Sequence, residues 1–219
     1  MIHLQIDPRD QAKKANYKLL IGGVLPRPIA FVTSMDKNGV VNAAPFSFFT
    51  VVSVDPPMLS VSCMRKPGGV PKDTARNIAE TKEYVVHVVD GDNVSMVNQT
   101  STEFPPDVSE AEAVGFDLAD SVHVHPPRIV QSKVQMECRL RQILPMGGTP
   151  ESPDADVIIG EVVLFHVEDA LYESGRIDTV GLNPVGRLAG TAYGKLGETF
   201  SMPRLSLDEW KEKKEKGKF

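Results

Sequence analysis

Cysteine is scarce: two residues in 219, Cys63 and Cys138, 75 positions apart, with no CxxC pair and no metal-ligand spacing. That excludes a disulfide framework and a zinc cluster. Each cysteine sits inside an apolar pattern, which points to buried thiols in a reducing compartment. No run approaches the ~18 apolar residues of a membrane-spanning helix. The N-terminal segment lacks both the basic start and the apolar core of a secretory signal. A cytoplasmic protein without a membrane partner is the expectation. Basic charge is not in excess either: the formal net charge is −5, so no nucleic-acid partner is expected. Lys211–Lys218 alternates in sign and reads as a solvated helix end. Gly-x-Ser-x-Gly and a Gly-x-Gly-x-x-Gly before a helix are both missing, which removes the sequence basis for a hydrolase elbow or a Rossmann site.

What is present suits a globular chain. The 41% apolar and 24% charged shares are ordinary, and 219 residues suffice for one sizeable core, read here as a single domain over 1–219. Ile2, Leu4 and Ile6 alternate as a short edge strand would, and Asp10 is placed to cap a helix ending at Gly22-Gly23. Ile29–Ser34 and Val40–Ala44 read as strands around the Asp36-Lys-Asn-Gly39 turn. Phe46–Val54 and Met58–Met64 follow, separated by Asp55-Pro56-Pro57, which cannot donate to a ladder. After the Arg65–Pro71 loop a helix is expected from about Thr74 to Thr81, capped by Asp73 or Thr74. Glu83–Val89 is a strand and Asn93–Gln99 a helix. Thr100–Gly115 is a polar surface excursion with one helical turn near Ser109–Ala113, placed to act as a lid. Gln131–Leu144 and Asp156–Val167 form a long hairpin, and the glycine-rich chain beyond Gly175 is sparse in regular structure. Seven or eight strands with two to four outer helices give a mainly β, antiparallel barrel.

Two stretches carry candidate chemistry. The first turn of a helix at Lys72–Asn77 presents unpaired N–H groups and the positive end of a dipole, a seat for phosphate. Thr74 and Asn77, three apart, share one side of that turn, and Lys72 adds charge. In Ser47-Phe48-Phe49-Thr50, strict alternation would separate Ser47 from Thr50, so both could meet one ligand only through a kink or a bulge. Plain readings stand beside these: an ordinary helix cap, and hydroxyls on a solvent face. His123 and His125 would share one strand face, but nothing completes a metal shell, and no metal is expected. His87 and His166 sit in apolar runs and read as hydrogen-bonded core or edge residues.

With those residues in view, the sequence resembles the flavin reductase-like family, the FMN-binding split barrels. The branch it is most similar to includes flavoredoxin and proteins described as flavoprotein oxygenases. The matching pattern is Arg27-Pro-Ile-Ala-Phe-Val-Thr-Ser34, Gly39-x-x-Asn42-Ala-Ala-Pro-Phe-Ser-Phe-Phe49, Val52-Ser-x-Asp-Pro-Pro57 and Lys72-Asp-Thr-x-x-Asn77-Ile78. It covers about residues 17–90, and Gly186-Arg-Leu-Ala-Gly-x-x-Tyr193 is similar to a later segment of that branch.

The resemblance implies a split β-barrel with a few peripheral helices, a homodimer, and FMN (or FAD) at or near the subunit interface. Ser47 and Thr50 would then contact the isoalloxazine ring. Lys72, Thr74 and Asn77 would hold the phosphate, helped by Arg27 or by Thr33 and Ser34. Phe48, Ser62, Cys63 and Asp73 complete the cofactor-binding candidates, with Arg187 and Tyr193 on the substrate side. The implied activity is an NAD(P)H-dependent flavin reductase that passes hydride to flavin N5 and hands electrons to free flavin or a redox partner protein. NADH versus NADPH stays open, and no catalytic side chain is required. The alternatives are an FMN-binding electron carrier that does not use NAD(P)H and a barrel without flavin.

Overall fold

A computed structural model describes residues 3–217 of the chain. Helix α1 (Lys13–Gly23) leads into β1 (Ala30–Met35), β2 (Val41–Phe46), β3 (Phe49–Val54) and β4 (Pro57–Met64). Helix α2 (Asp73–Thr81), β5 (Glu83–Val88), α3 (Val94–Gln99) and α4 (Glu110–Val114) follow, then the two-residue pair β6 (Leu118–Ala119) and β7 (Arg128–Ile129). The long strands β8 (Val134–Met146) and β9 (Ala155–Val167) come next. The last part holds β10 (Tyr172–Glu173), β11 (Arg176–Ile177), α5 (Thr179–Leu182), β12 (Val185–Arg187), β13 (Tyr193–Lys195) and α6 (Leu207–Glu215).

Seven strands build one antiparallel sheet in the order β2-β1-β5-β8-β9-β4-β3. Ala30 and Val32 of β1 pack in one cluster with Leu59 and Val61 of β4 and Ile158 of β9. Since three strands separate β1 from β4 in that order, the sheet curls around this cluster, as expected of a barrel. The opposite face of β1 is covered too. Phe31 joins Ala43, Val97, Ala111 and Phe116 in a second cluster beneath α3 and α4. Burial on both faces explains why Ile29–Ser34 reads as a continuous apolar run rather than an alternation.

Several expectations are corrected. Leu4 and Ile6 belong to no strand and stand exposed, while Ile2 lies outside the described residues. Ala12, not Asp10, precedes α1, and no side chain caps that helix. Phe46–Val54 is not one strand: the chain bends at Ser47-Phe48, and β3 carries an irregularity between Val51 and Ser53. Of the Asn38-Gly39 pair only Gly39 takes positive φ, at 88°, because the Asp36 carboxylate accepts from the Asn38 and Val40 N–H groups and tightens the turn. Residues 122–126 form bends rather than a strand, so His123 and His125 share no strand face; His125 Nδ1 instead meets Glu83 at 2.6 Å. The described residues hold six α-helical segments, more than the two to four expected, because the excursion and the C-terminal part add short ones. Ser206 and Glu209 cap α6 reciprocally, so the charged tail does begin as a helix.

Candidate functional site

Ser34 of β1 and Asn42 of β2 lie directly opposite each other in the ladder, and both point to the barrel side of the sheet. Helix α2 crosses them with its first two turns. Thr74 meets the Asn42 amide at 2.8 Å, and the Asn77 amide nitrogen reaches the Ser34 hydroxyl at 3.5 Å. Ser34, Asn42, Thr74 and Asn77 are all buried. Four uncharged polar groups from three elements are thus collected in one place, and the carbonyl oxygen of Asn77 is left without a hydrogen-bond partner. A buried amide oxygen without a partner is unfavourable in an ordinary core.

The start of α2 has no side-chain cap. Its N-cap residue is Lys72, and the expected cap, Asp73, is engaged elsewhere. Lys66 Nζ donates to Asp73 at 3.1 Å and Arg76 approaches it at 2.6 Å. Burial works against the Asp73 charge, but these two cations together outweigh it and hold the carboxyl below its usual range. The first-turn N–H groups therefore face outward beside Lys72, which pairs with no carboxylate among the described residues and lies 5.5 Å from the Phe46 ring. Above this helix tip opens a cavity of about 500 Å3 walled by Asn42, Pro45, Lys66, Lys72, Thr74 and the excursion at 100–105. That volume suits a drug-sized ligand. Glu110, at the start of α4, closes one side and accepts the Ala43 N–H at 2.9 Å.

The candidates divide. Lys72, Asp73 and Thr74 line the cavity, and Ser34 and Asn77 lie directly beneath it. Thr33 points to the other face of β1, where its hydroxyl donates to the Pro127 carbonyl at 2.7 Å. Cys63 faces the barrel core, where burial pushes its thiol up to about 12. Ser62, its neighbour, turns outward. Arg27 is buried with its guanidinium held by the carbonyls of Ile21, Val24 and Leu188 at 2.8–3.0 Å, so it clamps α1 to the C-terminal part rather than facing an anion. The same group reaches Ser47 at 3.5 Å and lies 6.0 Å from the Phe48 ring, which ties down the bend between β2 and β3. Thr50 is exposed on β3. Arg187 bridges to Arg27 through backbone pairing and donates to the Tyr193 hydroxyl at 2.5 Å, which in turn donates to Asn98.

Asn42, Lys66 and Glu110 are among the wall residues that escape sequence reasoning as site residues. Asn42 stands inside the matched motif, and a carboxamide between small residues on a strand is a usable signal. Lys66 and Glu110 reach the site only through loops, and no spacing announces them.

A family model described as "Flavin reductase like domain" matches residues 22–181. Nitrilotriacetate monooxygenase component B from Bacillus cereus is 46% identical, with a TM-score of 0.91 over 92% of this chain and 100% of that one. The 2-nitrobenzoate 2-nitroreductase NbaA of Pseudomonas fluorescens is 30% identical, with a TM-score of 0.83 over 93% and 98%. A Shewanella frigidimarina protein with a split barrel domain, 19% identical, superposes with a TM-score of 0.77 over 93% and 100% and shares the fold. The barrel described above is this split barrel, and the chain belongs to the flavin reductase-like family.

Proposed function

We propose that the chain is an FMN-binding oxidoreductase of the flavin reductase type, drawing electrons from NAD(P)H and working as a homodimer. One observation carries this reading: a buried polar quartet lies under an uncapped helix start, and its Asn42 and Thr74 line a cavity with an unpaired lysine. Those are the features a phosphorylated ligand needs. The family membership, and the redox names of the two relatives at 46% and 30% identity, support the rest.

The residues present suit FMN. Lys72, the first-turn N–H groups of α2 and the Thr74 hydroxyl would hold its phosphate, and the unpartnered Asn77 oxygen offers an acceptor to a ribityl hydroxyl. The wall continues along Pro45 toward Ser47, whose position Arg27 fixes, so the ring would lie along that bend. The segment 100–105 forms one wall of the cavity. Bound FMN would supply the two-electron redox chemistry of its ring system, with the protein providing orientation and electrostatics.

The dimer is supported by the surface of α1 and β3. Strand β3 is a sheet edge, and Val51, Val52 and Val54 are exposed along it, Val54 at 86%. Leu19, Leu20, Val24 and Leu25 stand out from α1 and the turn that follows. An apolar sheet edge left open pairs with something, and a second copy would cover it and bring Thr50 toward a bound ring.

The test is the visible absorbance of the purified protein given FMN, followed by rapid anaerobic mixing with NADH and with NADPH. Loss of the oxidised-flavin band with either nucleotide is expected. A protein that binds FMN yet keeps the band with both would be a carrier fed by another protein. One that is colourless once unbound FMN has been removed would end the flavin reading.

A further inference from the structure

Glu110 is a carboxylate beside a site read as taking a dianion, an arrangement that calls for a reason. Its Oε2 accepts the Ala43 N–H, while the Asn42 amide lies between Glu110 Oε1, 3.2 Å away, and Thr74 Oγ1, 2.8 Å away. A carboxamide has one donating end and one accepting end, so an ionised Glu110 permits one wiring of these three side chains, and its protonation opens a second. With Glu110 ionised, Asn42 must turn its nitrogen to the carboxylate. Its oxygen then accepts the Thr74 hydroxyl proton and the Ala43 N–H at 3.3 Å. The one donor Thr74 owns is used up. With Glu110 protonated, the acid donates to the Asn42 oxygen and the Asn42 nitrogen donates to Thr74 Oγ1. The Thr74 hydroxyl proton is then free to point into the cavity.

We infer that Glu110 is a positioning residue which, through Asn42, sets whether Thr74 can donate to the flavin phosphate, so that phosphate binding and protonation of Glu110 favour each other. This rests on the reading that the start of α2 holds the phosphate. Linkage makes the coupling reciprocal: an anion at the helix tip raises the proton affinity of Glu110 by as much as protonation raises affinity for the anion. The surroundings bring the acid toward the working range. Burial raises the Glu110 carboxyl, the Ala43 N–H and its own helix N–H pull it down, Asp73 on α2 raises it and Lys66 lowers it, with a net upward shift. Lys72 on α2 and Glu103 of the excursion complete the charged groups on the cavity wall.

The experiment titrates FMN and riboflavin, which lacks the phosphate, by flavin fluorescence between about pH 5 and pH 8, against wild type, Glu110→Gln, Thr74→Ala and Lys72→Ala. The FMN phosphate itself titrates near ~6, identically for every protein, so the reading is the difference between proteins in the FMN-to-riboflavin affinity ratio. In wild type the ratio should fall on the order of tenfold more across that range than in Glu110→Gln, the size of one lost hydrogen bond to a charged group. Glutamine is held in the protonated wiring: its oxygen takes the Ala43 N–H and its nitrogen donates to Asn42. Its ratio should stay high, changing only as FMN does. Thr74→Ala should be low throughout and equally free of the extra slope. Parallel curves for wild type and Glu110→Gln, or the wild-type slope surviving in Thr74→Ala, would overturn the link. An unchanged ratio in Lys72→Ala would instead remove the phosphate from α2. A collapsed ratio in Lys72→Ala beside parallel wild-type and Glu110→Gln curves refutes the link alone.

Discussion

Lys72 and Thr74 do different work at one helix tip. The lysine brings charge that no carboxylate of the described chain neutralises, and the threonine is buried and bonded to Asn42. Replacing both by alanine would remove the two charge-assisted hydrogen bonds proposed to the phosphate, and FMN affinity should drop by about 3 kcal/mol, on the order of 100-fold. Titration of FMN fluorescence measures it, and an unchanged dissociation constant would place the phosphate elsewhere. His87 makes a second single-residue case. Its Nδ1 donates to the Phe31 carbonyl at 3.0 Å and its Nε2 accepts the Ile129 N–H at 2.9 Å, which assigns the neutral ring. Burial pushes its pKa down to about 4, against the pull of the Phe31 carbonyl. The unfolded chain takes up that proton near ~6.5. Between the two values the unfolded state binds more protons, so stability is full above the window and falls as pH is lowered through it, by about 3 kcal/mol in all. Urea midpoints measured at successive pH values should fall accordingly, and His87→Gln should flatten the slope. Glu137, whose burial is outweighed by the Val122 and His123 N–H groups and by His166, adds a loss of the same sign only at lower pH.

Among the elements, β9 carries the longest ladders, pairing with β4 along one edge and with β8 along the other. Gly160 lies where β9 passes Tyr84 of β5, and a Cβ there would come within 2.0 Å of the Tyr84 hydroxyl. Gly160→Ala should therefore lower stability by about 1–3 kcal/mol through overpacking, measured by urea unfolding; a neutral result would mean that the tyrosine moves aside freely. The seven strands of the main sheet, apart from the break at Ser47-Phe48, and α2 were legible in the sequence to within a few residues, since apolar period and proline or glycine punctuation are local properties. The cap of α2 was not. Asp73 has the right chemistry for a cap, but Lys66 and Arg76 claim its carboxylate. The bend at Ser47 was equally hidden, because Arg27, twenty residues upstream, holds it. Ser34 and Asn77 could be named by motif, yet their meeting follows from α2 lying across the β1–β2 ladder.

At the scale of the molecule, the exposed valines of β3 and leucines of α1 mark the face expected to meet a second copy. Val54→Lys should convert a species of twice the chain mass into one of single mass in sedimentation equilibrium, with the fold intact. A wild-type protein already at single mass would dismiss the interface. The strands of the main sheet and the helix that follows Lys72 were determined by the sequence alone, because each is a pattern of neighbours within a dozen residues. Which hydroxyls stay available was decided only by the tertiary structure: Thr33 turns to Pro127, Arg27 grips three carbonyls, Cys63 sinks into the core, and Glu110 arrives from the excursion to share Asn42 with Thr74. The physical reason is that a polar group's chemistry depends on which partner satisfies it first, and those partners come from distant parts of the chain.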